Sequence, residues 1–178
     1  QLRGTFAQEG VGLVRGQGDA FRGAPAQAAA DGIEEAGSVA EAGEQARQDI
    51  LDGHLVALLA AAEPDADGQL GMPARLREPR FERIGSGLYA ELRDLNGEVL
   101  WRSRSALGLE LPVGTVPELG NHLFGREALE DDTPLLTLAL AVQWELPDGE
   151  LRPFVFKVAE SLDSFNAQIA RFRRQLFG

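Results

Sequence analysis

The chain of 178 residues contains no cysteine, and this absence excludes several kinds of chemistry at once. Without thiols there is no cysteine nucleophile, no zinc–thiolate site and no disulfide framework. A chain of this length can bury enough apolar surface to fold as one domain without such cross-links. Because periplasmic and cytosolic proteins can both lack cysteine, its absence does not indicate a compartment.

Basic residues are also scarce, since 17 lysines and arginines accompany 28 acids and the formal net charge is −11. A nucleic-acid-binding protein needs a basic surface to neutralise phosphates, so we expect no nucleic-acid partner. No run of eighteen or more apolar residues is present, and no segment of this sequence is predicted to span a bilayer. The chain begins at Gln1 and its only methionine is Met72, which favours an excised segment of a longer protein.

Residues 1–38 are rich in glycine, alanine and glutamine and contain few large apolar side chains. Such a segment offers little apolar surface to offset the entropy lost on ordering, so we expect a disordered arm. A helix is the alternative, because the alanines could support one if a partner surface covers them. Residues 39–178 are predicted to form the folded domain.

The segment 38–63 is predicted to be a helix, because its leucines recur with helical spacing. Leu51, Leu55 and Leu58 are separated by four and three residues and form one apolar stripe. Pro64 is expected to end the helix, since proline lacks the backbone N–H that a helix interior needs.

A β-hairpin is predicted next along the chain. Apolar and polar side chains alternate in residues 87–94, and residues 98–103 form the returning strand. Asn96 and Gly97 lie between them and tolerate the positive φ angles of a two-residue hairpin turn.

A second antiparallel pair of strands is predicted at residues 135–146 and 151–159. Residues 104–133, between the two hairpins, are rich in glycine and proline and are predicted to be a loop. Antiparallel hairpins with this alternation imply a sheet with one buried face.

The last predicted element is an amphipathic helix with Ser161 as its N-cap. Four of its apolar residues follow the a/d spacing of a heptad: Phe165, Ile169, Phe172 and Leu176. Three cations lie in its last turns, where the helix dipole favours them: Arg171, Arg173 and Arg174. The predicted fold class is therefore α+β, with a PAS-like arrangement of an antiparallel sheet and terminal helices.

Three stretches of the chain resemble the extracytoplasmic sensor domain of bacterial sensor histidine kinases, in the PhoQ-like branch. They are LDGHLVALLAAAE (51–63), EPRFERIGSGLYAELRDLNGEVLWRSRSALG (78–108) and PFVFKVAESLDSFNAQIARFRRQLFG (153–178). The resemblance implies a PAS-like (PDC-type) antiparallel sheet flanked by long N- and C-terminal helices. It also implies a parent protein that is an inner-membrane homodimer, with this domain in the periplasm and a kinase region that acts on a cytoplasmic response regulator.

Four acids ahead of the late strands form the best candidate metal site: Glu127, Glu130, Asp131 and Asp132. Neighbouring carboxylates repel one another unless solvent or a cation separates them, and oxygen-only clusters favour Mg²⁺ or Ca²⁺. The resemblance implies that such a surface binds divalent cations against the anionic membrane. The alternative is a solvated loop that precedes a strand.

The apolar stripes of the two predicted helices allow two interpretations. Each stripe packs only against the core of its own domain, or it also contacts a second subunit and relays a shift toward the membrane. The three arginines of the last helix likewise favour either a membrane-proximal position beside anionic head groups or a solvated helix end.

No catalytic motif is present, and we expect no enzymatic activity in this chain. His54 lacks the neighbours of a phosphoacceptor histidine, His122 lacks a nearby triad partner, and no glycine-rich nucleotide loop occurs. The leading hypothesis is a periplasmic sensor domain that relays ligand or envelope state through its C-terminal helix to a histidine kinase. The alternative is a periplasmic or secreted interaction module without a signalling role.

Overall fold

A computed structural model describes the backbone of residues 25–178 and the side-chain surroundings of residues 43–178, except those of Phe165 and Gln168. Of the predicted arm at residues 1–38, residues 1–24 therefore lie outside the described residues, and residues 25–38 are helical. The chain divides into two units, Gln1–Ala40 and Glu41–Gly178. The second unit contains the sheet and the apolar core.

The first helix, α1, spans Pro25–Ala61 and begins well before the predicted start. It ends before Pro64, as expected, and the chain continues into the short strand β1 (Glu63–Pro64). β1 pairs with β2 (Leu70–Gly71) in a small antiparallel ladder. This ladder turns the chain back toward the main sheet.

The main sheet has five antiparallel strands, and both predicted hairpins are confirmed. In chain order the strands are β3 (Leu88–Asp94), β4 (Val99–Arg102), β5 (His122–Ala128), β6 (Pro134–Glu145) and β7 (Leu151–Ser161). Their order across the sheet is β4-β3-β7-β6-β5. The fold class is therefore α+β, as predicted, and the central pair β3–β7 joins the two hairpins into one sheet.

The prediction of a loop over the whole of residues 104–133 is wrong. The segment contains a 3₁₀ turn at Arg104–Ala106 and the strand β5, which pairs with β6 from His122 to Ala128. β5 is an edge strand, and its side chains are exposed or half-buried. Because no continuous apolar face is required of such a strand, the alternation that revealed the other strands is weak here.

The prediction of one buried face is also wrong, because both faces of the central strands are covered. The main core lies on the face toward α1, where Leu51 and Leu55 pack with Leu88 and Phe156. On the opposite face a second cluster contains Tyr89, Ala159 and two residues of the connection from β4 to β5, Ala106 and Leu111. That connection folds back over the sheet and buries side chains that the alternation assigned to solvent.

The second helix, α2, spans Leu162–Phe177 and begins directly after β7, without an intervening loop. The predicted N-cap is confirmed, since the Ser161 hydroxyl accepts a hydrogen bond of 3.0 Å from the backbone N–H of Ser164. Asp163 lies in the first turn, where the helix dipole favours an acid. Within residues 25–178, neither helix combines the length and the apolar character needed to cross a membrane.

Candidate functional site

The predicted relay stripe of α1 lies inside the domain. Leu51, Leu55 and Leu58 are each no more than 1% exposed and belong to the main core. Their side chains are fully used in packing against the sheet, so they offer no surface to a second subunit. Of the two interpretations of this stripe, the structure shows core packing.

The predicted stripe of α2 has the opposite surroundings. Ile169, Phe172 and Leu176 are 36%, 61% and 60% exposed, and the neighbouring Phe177 is 87% exposed. The side chain of Phe165 lies outside the described residues. The last turns of α2 therefore present an apolar strip to solvent.

The three arginines of α2 are exposed beside this strip. Arg174 donates from Nε to the carbonyl of Ala170, one turn earlier, at 3.3 Å. Arg174 lies in the last turn of α2, where a cation complements the helix dipole.

The four predicted metal ligands do not form one site. Glu127 lies on β5, and its carboxylate accepts a hydrogen bond of 2.5 Å from Lys157 Nζ on β7. Glu130, Asp131 and Asp132 are exposed in the turn between β5 and β6. Within the described part of the chain, no group of three or more acidic or histidine side chains is placed to hold a metal ion.

Asp131 has a local structural role in that turn. Its carboxylate accepts a hydrogen bond of 3.0 Å from the backbone N–H of Thr133. Hydrogen bonds from the Thr133 side chain and backbone hold the pKa of the Asp131 carboxyl below its usual value. Asp132 follows with a φ of +64°, a conformation that aspartate tolerates in tight turns.

The second face of the sheet carries a buried charge network that the sequence patterns did not predict. Both oxygens of the Glu91 carboxylate are engaged, by Arg93 Nε at 2.6 Å and by Arg102 Nε at 2.8 Å. The two guanidinium groups also donate to the carbonyls of Leu111 and Leu109. The network thereby fastens the β4–β5 connection onto the sheet. An acid and a base two residues apart in a strand, with a second base opposite, is the pattern that could have revealed it.

A cleft of about 390 Å³ with both apolar and polar walls lies along the edge strand β5. Lys157 and Glu127 form its charged floor, and Thr115 and Thr137 add hydroxyl groups. Lys157 Nζ also donates to the carbonyl of Pro112 at 2.7 Å, so the amine is held in place. Such an arrangement can bind a small polar molecule, and Lys157 was not among the predicted site residues.

A hydrogen-bonded junction ties the start of α2 to the rest of the domain. Arg80, in the 3₁₀ turn Pro79–Phe81, donates from Nη2 to Glu160 Oε1 at 3.1 Å and to Ser164 Oγ at 2.8 Å. Ser164 in turn donates to the carbonyl of Ser86 at 3.1 Å. The end of β7, the first turn of α2 and the 3₁₀ turn are therefore joined through one guanidinium group.

A largely apolar cavity of about 480 Å³ lies between the last turns of α1 and the segment that ends in the same 3₁₀ turn. Phe81 forms part of its wall, and the ring of His54 contacts Phe81 edge-on, with the ring centroids 5.8 Å apart. Burial of His54 lowers the pKa of its imidazole, more than Glu78 and Glu160 raise it. The neutral imidazole is therefore the form that this site favours.

The neutral state of His54 should make the stability of the domain depend on pH. The unfolded chain takes up a proton as the pH falls through the ordinary histidine pKa of 6.5, and the folded chain takes it up only at lower pH. We expect the melting temperature to fall on acidification from pH 7.5 to 5.5, and to fall less in His54→Gln. An unchanged slope in His54→Gln would contradict the assignment.

Comparisons of this chain with protein-family models, with curated proteins and with solved structures find no match.

Proposed function

We propose that the chain is the extracytoplasmic signal-sensing domain of a two-component transmembrane sensor histidine kinase, with a PAS-like (PDC-type) fold. Counted within the main sheet alone, the strand order is 2-1-5-4-3 and every neighbouring pair is antiparallel. This order is typical of PAS-like sheets. The long helix α1 before the sheet and α2 directly after it also fit such a domain.

The observation that carries the proposal is the direct passage from the central strand β7 into α2. Because β7 ends at Ser161 and α2 begins at Leu162, no loop can absorb a displacement between them. A stimulus that binds one arrangement of the sheet better than another would shift the population of the two arrangements. This change in the sheet would then alter the direction of the α2 axis or rotate α2 about it.

The surface of α2 fits the role of an output element. Its exposed strip of Ile169, Phe172 and Leu176 suits contact with the same helix of a second copy in a homodimer. Its exposed arginines suit the anionic head groups of the inner membrane. Helices of this kind would connect a periplasmic domain to a kinase region and a cytoplasmic response regulator.

The first test is the reading frame around this segment. We expect it to encode one membrane span before Gln1, another after Gly178 and a kinase region beyond. A stop codon close after Gly178 would overturn the proposal and favour a periplasmic or secreted interaction module. The exposed apolar end of α2 is the observation that would then favour binding to another protein.

The second test measures autophosphorylation of the full-length protein in membrane vesicles. A charge at Phe172, introduced as Phe172→Glu, should change the basal rate several-fold, because a carboxylate is costly to desolvate in a helix–helix contact. Ala167→Glu places the same charge on an exposed position outside the strip and serves as the matched control. Equal rates in the two variants would contradict an output role for this strip.

A further inference from the structure

The cavity against α1 is shaped by small side chains on one wall and by a short irregular segment on the other. Ala57, Ala60 and Ala61 form the wall on α1. Pro73, Leu76 and Phe81 face them. A volume of about 480 Å³ lies within the range of small-molecule sites. These walls offer almost no polar groups, so the interior suits an alkyl chain.

The rim of the cavity is positively charged, although the chain as a whole is acidic. Arg75 and Arg77 line it, and within residues 43–178 neither guanidinium group has an ion pair or hydrogen bond. The arginines of the sheet differ, since Arg93 and Arg102 are both paired with Glu91. The rim therefore presents two exposed cationic groups that bind no other described residue, beside an apolar interior.

The acid at the rim, Glu78, forms no ion pair with either arginine, and the two arginines outnumber it. Its Oε1 accepts a hydrogen bond of 3.1 Å from the backbone N–H of Arg80 and caps the 3₁₀ turn. Glu82 Oε1 accepts one of 3.1 Å from the backbone N–H of Leu76. Both contacts fix the segment that carries the arginines, so the site is formed before any ligand enters.

We propose that this cavity binds a single-chain amphiphile whose head group is a carboxylate. The alkyl chain lies against the alanines of α1, and Arg75 and Arg77 bind the carboxylate at the rim. Guanidinium groups match the planar carboxylate and form charge-assisted hydrogen bonds with it. The ligand class follows from charge complementarity at the mouth and apolar lining within.

The position of the site also connects it to α2. The lining residue Phe81 belongs to the same 3₁₀ turn as Arg80, whose guanidinium group binds Glu160 and the first turn of α2. A ligand that packs against Phe81 would therefore lie next to the turn that holds the helix junction. Binding itself does not depend on the sensor role, so the two proposals are tested separately.

The test is calorimetric titration of the 178-residue chain with dodecanoate, kept below its micelle concentration. We expect saturable binding of one equivalent. Arg75→Gln/Arg77→Gln should weaken the affinity at least tenfold, because it removes both cationic donors. The matched control, Arg83→Gln/Arg104→Gln, removes the same charge from two exposed arginines elsewhere and should stay within twofold of wild type. All four arginines are exposed, so both variants should fold, which a thermal melt verifies.

Two further ligands and one further variant separate the head group from the chain. Dodecanol should bind at least tenfold more weakly than dodecanoate, and hexanoate should also bind more weakly. Ala61→Phe, which fills the cavity, should abolish binding while both arginines remain. The proposal is overturned if wild type shows no saturable binding, if dodecanol matches dodecanoate, or if the two arginine variants lose affinity equally. None of these results bears on the sensor role, which is tested on the full-length protein.

Discussion

Replacement of Glu91 by glutamine should lower the free energy of unfolding by about 3 kcal/mol, because it removes one member of a buried charge network. The Glu91 side chain is fully buried between two guanidinium groups. Glutamine has nearly the same shape, so the packing is conserved and the loss comes from two arginines left without a counter-charge. For a domain whose total stability is roughly 5 to 15 kcal/mol, this is a large fraction. Urea unfolding followed by circular dichroism measures it.

The matched control is Glu150→Gln, which breaks an ion pair with Arg152 on the surface. The two charged groups lie 2.9 Å apart, but the side chains of Arg152 and Glu150 are 40% and 58% exposed. Exposed pairs of this kind contribute roughly 0 to 1 kcal/mol. A loss below 1 kcal/mol in both variants would show that the network around Glu91 is not a buried one. A changed urea dependence would instead indicate that the unfolding reaction itself had changed.

The Glu91 network also accounts for the stability of the connection between β4 and β5. This segment has little regular structure, yet it covers one face of the sheet. Arg93 and Arg102 bind its carbonyls at Leu111 and Leu109, and both arginines depend on Glu91 for their position. Ion pairs and side-chain hydrogen bonds thus hold this segment in place, whereas backbone hydrogen bonds hold the strands.

Several elements could be predicted because local patterns are strong there. The leucines of α1 recur with helical spacing, and the core that they enter is large enough to hold the helix. The Asn96-Gly97 turn fixes the first hairpin through its own backbone preferences. The Ser161 cap was predictable for the same reason, since its hydrogen bond lies within one helical turn.

The surroundings of the charged positions in the sheet could not be predicted from local patterns. Glu91, Arg93 and Lys157 alternate with apolar residues, and alternation alone assigns such positions to solvent. Their burial depends on the β4–β5 connection, which is brought over them by contacts distant in the sequence, such as Lys157 to Pro112. Alternation reports which side chains share a face, but it does not report what covers that face.

The cavity beside α1 could not be predicted for a related reason. The alanines of its wall carry no pattern that distinguishes them from other helical alanines, and only the structure places them opposite an irregular segment. The prediction of an acidic metal site failed for the opposite reason, because residues that are close in sequence do not share one site. Residues 127–132 are adjacent in sequence, but the turn that follows β5 separates Glu127, bound to Lys157, from the three exposed acids.

Replacement of Gly87 by alanine should lower the free energy of unfolding by about 3 kcal/mol, through backbone strain and overlap. Gly87 has a φ of +86°, which favours glycine. A Cβ there would lie 2.5 Å from the Cβ of Ser164 and 2.9 Å from the Oγ of Ser161. These atoms belong to the N-cap and first turn of α2, which are held in place by hydrogen bonds. Neither Ser161 nor Ser164 can move away from the added methyl group without breaking hydrogen bonds at the start of α2.

Gly85 is the matched control, because it has a φ of +69° and a Cβ added to it would meet no atom within 4 Å. Gly85→Ala should therefore cost only about 1 kcal/mol, the strain of the left-handed conformation alone. The difference between the two variants isolates the overlap with α2. Equal losses would show that α2 does not press against Gly87.

A double-mutant cycle makes the contact between Gly87 and Ser164 directly measurable. Ser164→Gly removes the nearest atoms to the new methyl group, so Gly87→Ala/Ser164→Gly should be more stable than the sum of the single losses predicts, by about 1 kcal/mol. Under the proposed sensor role, Gly87→Ala should also change basal autophosphorylation of the full-length protein, whereas Gly85→Ala should not. The reason is that only the first variant moves the start of α2 away from β3. The same close packing that stabilises the domain would then also set the position of α2, the proposed output helix.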